Sequence, residues 1–456
     1  MECTNKNIII AGAGKSGIAA ANLLAGESDN IILYDGNENI DKDELRANLP
    51  VNYNGRIVLG ELSDEDIKNA DYLVISPGVP TDLDFVRKLK ANGTIIWGEA
   101  ELGYRCSKGK LAAITGTNGK TTTTALLGEI MRAQYESVFV VGNIGIPYTE
   151  MAPQITEDSV TVAEMSSFQL ESIDAFHPQV SMILNITPDH LNRHHTMENY
   201  ALAKANIMVN QTPDETCVLN YEDERVRDLA KLSKAKIVWF SSARELEEGY
   251  FLKGDEIIFR EGAIDFVVCT IHDMNIIGRH NYENAMAAIA GARALGVNWD
   301  NIRKALKSFV AVEHRIEYTA TVNGVKYYND SKGTNPDASI QAVKAMTTPT
   351  ILIGGGYDKG SEYDEWIESF DGKVRYLLLM GQTAEKIAET AKKLGFTNCV
   401  FVKDMEEAVA FSYEHAKEGE AVLLSPCCAS WGMFKNYEER GTIFKELVKK
   451  LPGATY

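Results

Sequence analysis

Short apolar runs alternate along this chain with longer segments of helical period. Lys6-Asn7-Ile8-Ile9-Ile10-Ala11, Asn30-Ile31-Ile32-Leu33-Tyr34, Asp71-Tyr72-Leu73-Val74-Ile75 and Thr94-Ile95-Ile96-Trp97 are continuous rather than alternating. That pattern predicts strands buried on both faces. Helical stretches such as Ile18–Leu24 stand between them, which predicts a parallel sheet. Residues 98–109 predict a short helix and a Ser-Lys-Gly linker, with a domain boundary near 105. A second set of strands follows at Lys110–Ile114, Ser159–Ala163, Val180–Leu184, 215–219 and 235–240, with short antiparallel strands over 250–271. Met197–Val209 and an Ala-rich segment ending at Leu295 predict helices. A second boundary falls near Val312-Glu313-His314-Arg315. Beyond it come a hairpin over Tyr318–Asn329 around Asn323-Gly324, strands at 350–353, 374–380, 398–402 and 420–424, helices at 383–394 and 404–418, and a C-terminal amphipathic helix.

The loops between these elements carry the candidate chemistry. Thr115-Gly116-Thr117-Asn118-Gly119-Lys120-Thr121-Thr122 lies between a predicted strand and a predicted helix. A phosphate-binding loop needs that context, because backbone N–H groups and the helix dipole then face anionic oxygens. Lys120 reaches terminal phosphates in such a loop, and the Thr121 hydroxyl ligates Mg²⁺. The longer general pattern would put Gly at position 114, where this chain has Ile114. Gly12-Ala13-Gly14-Lys15-Ser16-Gly17 with Asp35 downstream matches a dinucleotide fingerprint, and any nucleotide diphosphate satisfies its physics. Ser76-Pro77-Gly78 is a further strand-end turn, and an ordinary turn accounts for it equally well. Glu164 ends a predicted strand, placed to hold Mg²⁺ opposite Thr121. His190 follows another strand, so three strand ends are expected to deliver Thr121, Glu164 and His190 to one edge. His194-His195 reads as solvated loop, and Lys204 by itself reads as a solvated helix lysine. Asn281 and Asn284 share a helix face, either to read an adenine edge or as local caps.

The chain has 456 residues, net charge −18 and seven scattered cysteines without a C-x-x-C. The charge argues against a general nucleic-acid surface, and the cysteines argue for reduced thiols and against zinc. No apolar run reaches a membrane span, and the chain enters a strand without a leader, so a cytoplasmic protein is expected. The expected fold class is α/β with three domains: a Rossmann-like N-terminal domain (1–105), a central P-loop ATPase-like domain (106–312) and a C-terminal Rossmann-like domain (313–456).

The ordered set Gly116–Thr121, Gly142-Asn143-Ile144-Gly145, Glu164-Met165-Ser166-Ser167-Phe168-Gln169-Leu170, Asp189-His190, Gly278-Arg279-His280-Asn281, Glu313-His314-Arg315 and Asp330-Ser331-Lys332-Gly333-Thr334-Asn335 resembles the Mur ligase family over essentially the whole chain. The resemblance implies successive domains for a UDP-sugar, ATP and an amino acid. Within the family, the N-terminal Gly loop, Ser167-Phe168-Gln169-Leu170 and Ser425–Ser430 imply ATP-dependent joining of D-glutamate to UDP-N-acetylmuramoyl-L-alanine in cytoplasmic peptidoglycan precursor synthesis. It assigns Gly116, Thr117, Asn118, Gly119, Lys120, Thr121, Thr122, Asn281, Asn284, Arg315, Asp330 and Lys332 to ATP. It assigns Gly14, Lys15, Ser16, Gly17, Asp35, Ser76, Gly78, Asn143 and His190 to the UDP-sugar, and Thr334, Lys359, Ser430 and Tyr437 to D-glutamate. Thr121, Glu164, His190 and, as a carbamate, Lys204 are implied around Mg²⁺. Lys204 matches the lysine that takes up CO₂ as a carbamate, which reverses its bland reading. Lys120, Glu164, His190, Lys204 and Arg315 are the expected catalytic set, and a monomer without nucleic-acid or membrane partners is expected. The chain departs from the family's usual residues at Lys15, at Asn192 and at Gly432. Two other readings rest on single features: a nicotinamide enzyme on Gly12–Gly17, and a nucleotide-binding regulatory module without turnover.

Overall fold

In the computed structural model, the described residues are 4–28, 30–143, 145–310 and 312–455, so Cys3 and Ile144 lie outside them. The first sheet is built from β1 (Ile8–Ala11), β2 (Ile31–Asp35), β3 (Arg56–Leu59), β4 (Tyr72–Ile75) and β5 (Ile95–Gly98). Its order is β3-β2-β1-β4-β5, every pair parallel. The chain direction across the sheet reverses between β1 and β4, and the loops after these two strands meet there, which is where open parallel sheets bind ligands. Strand β3 was not anticipated. It lies at an edge with no residue fully buried, and its apolar run is only the three residues Ile57-Val58-Leu59.

The second sheet comprises β6 (Lys110–Thr115), β7 (Val138–Gly142), β8 (Val160–Glu164), β9 (Val180–Ile183), β10 (Thr216–Asn220), β11 (Lys236–Ser241), β12 (Gly249–Lys253), β13 (Glu256–Glu261) and β14 (Ile264–Thr270). The order is β14-β13-β12-β11-β10-β9-β6-β8-β7, with β13 and β14 antiparallel additions. Strand β6 sits between β8 and β9. Ile114 pairs with Glu164 and Thr115 with Ile183, so three carboxyl ends adjoin. The helix Glu99–Arg105 before this sheet is tied down rather than loose. Glu99 accepts the Thr149 N–H and hydroxyl, each at 2.7 Å, and Glu101 accepts the N–H groups of Asp174, Ala175 and Phe176.

The third sheet has β15 (Glu317–Val322), β16 (Val325–Asn329), β17 (Thr350–Gly354), β18 (Val374–Leu379), β19 (Cys399–Phe401), β20 (Ala421–Leu424) and β21 (Ala454–Thr455), in the order β19-β18-β17-β20-β16-β15-β21. The hairpin β15–β16 turns at Asn323 and Gly324, both with positive φ (51° and 77°), as a two-residue turn requires. Each sheet has its own apolar clusters, which makes a three-domain α/β architecture. By packing, the chain forms two compact units. One is Met1–Asp273 with Glu283–Lys307, and the other is Met274–Tyr282 with Ser308–Tyr456. The helix expected over Met197–Val209 is α-helical over Met197–Ala205 and continues as a 3-10 turn over Asn206–Met208. Among the described residues no helix is long and apolar enough to cross a membrane.

Candidate active site

In the first unit the loop after β6 turns at Gly116 (φ 154°) and Gly119 (φ 84°) and enters the helix Lys120–Arg132. The positive φ favours glycine at position 119, and a Cβ there would lie 2.2 Å from Asn284 Oδ1, displacing that amide. The loop is stapled to the segment after β9. Asn118 N–H donates to Asn185 Oδ1 at 2.8 Å, and Asn185 Nδ2 returns a bond to Asn118 O at 3.1 Å. Thr117 Oγ1 accepts the Thr187 N–H at 3.0 Å and lies 3.1 Å from the Tyr200 hydroxyl. Lys120 Nζ folds over its own loop, donating to Gly116 O and Thr117 O, each at 2.8 Å. The Thr121 and Thr122 side chains are buried at the first turn of the helix.

Glu164 ends β8 as expected and is only 1 % exposed. Its Oε1 accepts from Asn143 Nδ2 at 2.8 Å, while Oε2 is buried without any hydrogen-bond partner. A buried carboxylate oxygen left unpaired is costly, and a cation is the natural partner for it. This fits Mg²⁺, which takes few protein oxygens and retains water. Among the described residues no group of three or more His, Cys, Asp or Glu forms a metal cluster, so a cage of the zinc type is absent there. His190 caps a short helix with φ 53°, its ring edge-on to Phe168 at 4.8 Å and its Nε2 3.5 Å from Asp189 Oδ2.

One expectation is corrected here, that for His194. Lys204 is not solvated, as the resemblance implied and its local sequence did not: it is 1 % exposed, donates to Gly116 O at 2.8 Å and lies over the Tyr200 ring at 4.6 Å. Burial, reinforced by the Lys120 charge, holds its amine well below the ordinary lysine range. Among the described residues no carboxylate lies in salt-bridge contact with it. His194 is not a solvated loop residue either. It is buried, stacked on Phe168 at 5.5 Å, with Nε2 2.9 Å from Ser167 Oγ and Nδ1 3.3 Å from Glu171 Oε1. His195 is exposed, as expected.

The Gly12–Gly17 loop enters the helix Lys15–Leu24. A Cβ on Gly17 would fall 1.7 Å from Gly12 O, and one on Gly12 2.8 Å from Ser76 Oγ, so the two turns after β1 and β4 touch. Cβ atoms on Gly14 and Gly78 would meet nothing within 4 Å, leaving that side of both turns open. Lys15 is exposed and Ser16 half-buried. Asp35 is one of the residues the resemblance assigns to the UDP-sugar. It accepts the Ala13 N–H at 2.8 Å and the Asn37 N–H at 2.9 Å, and so braces the loop itself.

The second unit gathers the remaining candidates. Asp330 is buried, accepting from Ser425 Oγ at 2.7 Å and Ile316 N–H at 3.3 Å, and burial pushes its carboxyl up to about 7. Arg315 Nε is buried without a partner, which suits an anion. Lys332 Nζ lies 5.2 Å from the Tyr437 ring centroid. Asn281 donates to Ile277 O at 2.7 Å. Ser430 is buried, Thr334 half-buried and Lys359 exposed. Sequence reasoning missed Arg440, which joins three of these segments. It donates to Ser331 Oγ (3.0 Å), Ser331 O (2.7 Å) and Cys428 O (3.1 Å), and Ser331 Oγ donates to Tyr437 O at 2.8 Å. Nothing in an amphipathic helix marks one arginine as buried. Tyr200 and Asn185 were also missed, although Asn185 stands in a strand-end loop of the kind singled out.

A Gly-rich loop between β6 and its helix, bounded by a buried carboxylate and buried lysine, defines a P-loop protein of α/β fold. The sequence matches three family models: the Mur ligase MurD-like N-terminal domain over residues 6–98, the Mur ligase middle domain over 114–292, and the Mur ligase glutamate ligase domain over 314–428. The chain belongs to the Mur ligase family. It is 61% identical over 451 residues to UDP-N-acetylmuramoylalanine--D-glutamate ligase of Lachnoclostridium phytofermentans, covering 99% of both chains. Proteins of the same name from Lachnospira eligens and Clostridioides difficile are 54% and 46% identical, each over 99% of this chain and 100% of the relative. Among solved structures, MurC of Thermotoga maritima has a TM-score of 0.59 at 18% identity, covering 97% of this chain and 98% of that one. MurF of Thermotoga maritima, in complex with ADP, has a TM-score of 0.56 at 17% identity, covering 85% and 92%. At these identities the two structures bear on the fold alone.

Proposed function

We propose that this chain is an ATP-dependent ligase that joins D-glutamate to UDP-N-acetylmuramoyl-L-alanine, releasing ADP and phosphate. The observation that carries this is full-length identity of 61% to a ligase of that name. The phosphate loop and the orphaned Glu164 oxygen are consistent with it. In this reading Gly116–Thr122 cradle the ATP phosphates and Lys120 leaves its loop carbonyls for the terminal phosphate. Asn281, Asn284, Arg315, Asp330 and Lys332 serve ATP. Gly14–Gly17, Asp35, Ser76, Gly78, Asn143 and His190 serve the nucleotide sugar. Thr334, Lys359, Ser430 and Tyr437 serve D-glutamate. Thr121, Glu164 and His190 would hold Mg²⁺, which supplies neutralisation of phosphate charge. A carbamate on Lys204 would turn a buried amine into an anion facing the same region. Domain boundaries near 105 and 312, a cytoplasmic location and a monomer are part of the same proposal.

The substrate carboxylate attacks the γ-phosphorus and ADP departs, with Lys120 and Arg315 countering the charge that develops. The D-glutamate amine then attacks the acyl phosphate carbon. The tetrahedral intermediate expels phosphate, and the nitrogen loses its proton. Holding two substrates and a labile intermediate in line is chiefly a positioning task. The deciding experiment is phosphate release from ATP with UDP-N-acetylmuramoyl-L-alanine, comparing D-Glu with L-Glu, D-Ala, L-Ala and L-Lys in Mg²⁺ and bicarbonate. Release with D-Glu alone and a product heavier by one glutamyl unit is expected. Release with another amino acid would discard the specificity, and no release with any would discard the ligase.

A further inference from the structure

The loops after β17 and β20 run side by side within the second unit. Gly355 N–H donates to Pro426 O at 2.8 Å and Tyr357 N–H to Ala429 O at 2.9 Å, closing an antiparallel bridge between Tyr357 and Ala429. This pairing delivers three side chains to one exposed patch next to Ser430. Tyr357 meets the Trp431 ring edge-on at 5.5 Å, and Lys359 Nζ stands 5.3 Å from the Trp431 ring centroid. Trp431 is 55 % exposed, although its backbone is well anchored: Phe434 N–H closes onto Ser430 O at 3.0 Å behind it. Among the described residues no carboxylate comes within ion-pair distance of Lys359. The adjacent Asp358 is engaged elsewhere, accepting the Gly360 N–H at 2.8 Å and facing Lys386 Nζ at 3.8 Å.

We propose that Trp431 is a positioning residue for the amino-acid substrate: its ring holds the Lys359 ammonium ready for the side-chain carboxylate of an incoming acidic amino acid. The proposal rests on the reading of Lys359 and Ser430 as residues of the D-glutamate site. A lysine has a long flexible stem, and ordering it before the ligand arrives removes that entropic cost from binding. A carboxylate partner would order it too, but would neutralise the charge and compete with substrate. An aromatic face attracts the cation through its quadrupole and leaves the charge in place. Tyr357 braces the indole edge.

The test is steady-state kinetics of the whole enzyme with D-Glu varied. Trp431→Ala is expected to raise KM for D-Glu about two- to fivefold, the span of an exposed cation–π contact, with kcat and KM for ATP unchanged. Trp431→Phe keeps a ring and restores most of the loss. Lys359→Met raises KM further, and adding Trp431→Ala to it changes nothing more, because Trp431 acts through the ammonium. An unchanged KM in Trp431→Ala, or the same rise with and without Lys359, would overturn the proposal. If the wild-type enzyme shows no turnover with D-Glu, the site reading itself fails and takes this proposal with it.

Discussion

Single side chains at this site are explained by what burial does to charge. Lys120 is held by two carbonyl oxygens of its own loop, which are weak rivals to phosphate. Lys120→Ala is expected to lower kcat/KM for ATP by about a hundredfold or more with an unchanged melting profile, measured by phosphate release. Glu164 keeps one oxygen for Asn143 and one without a protein partner. Glu164→Gln should raise the Mg²⁺ concentration for half-activity about tenfold or more, read from a metal titration. For Asp330, burial raises the carboxyl from its ordinary 3.8 to about 7, so between those values the folded chain keeps a proton that the unfolded chain has lost. The stability this contributes is complete below the lower value and disappears as pH rises through the upper one. Asp330→Asn keeps the shape and does not titrate. Its stability relative to wild type should therefore climb between pH 4 and pH 7, by up to about 4 kcal/mol, in urea melts. A difference independent of pH would contradict this account.

At the scale of elements, the site depends on turns that touch one another. Gly119 has φ 84° and a Cβ there would strike Asn284 Oδ1, so Gly119→Ala strains the backbone and turns the Asn284 amide away from the loop. A loss of about 1–3 kcal/mol in stability is expected from the backbone strain, with ADP affinity falling more than tenfold by calorimetry. Arg440 is the corresponding brace in the second unit, spanning the Ser331 and Cys428 segments from the helix Tyr437–Lys449. Replacing it by Met would leave three buried acceptors without donors, costing about 3 kcal/mol or more in denaturant melts. Lysine would be a poor substitute, since one ammonium cannot reproduce the planar fork. Many elements were legible in sequence because central strands of parallel sheets are continuous apolar runs. Edge strands β3 and β7 and the two-residue β21 were not, since the edge strands are only partly buried and β21 is too short to carry a pattern.

For the whole molecule, the first step of the proposed reaction leaves a chemical trace. If the substrate carboxylate attacks the γ-phosphorus, ¹⁸O placed in that carboxylate must appear in the released phosphate. Mass spectrometry of the phosphate should show transfer of one labelled oxygen per turnover, and unlabelled phosphate would rule out the acyl-phosphate route.

The sequence alone determined the α/β alternation, the place of the phosphate loop, the strand-end position of Glu164 and the family. Each of these is written in local order, as runs, turns and spacings that a linear pattern retains. Tertiary structure decided which polar groups lose water. Lys204 and His194 have ordinary sequence surroundings, and only the packing of their helices against β6 and the Phe168 segment buries them. The bracing by Arg440 and the use of Asp35 to hold its own loop depend on contacts between segments remote in sequence. Burial and pairing arise from distance in space, and one sequence carries that information only where a local pattern happens to imply it.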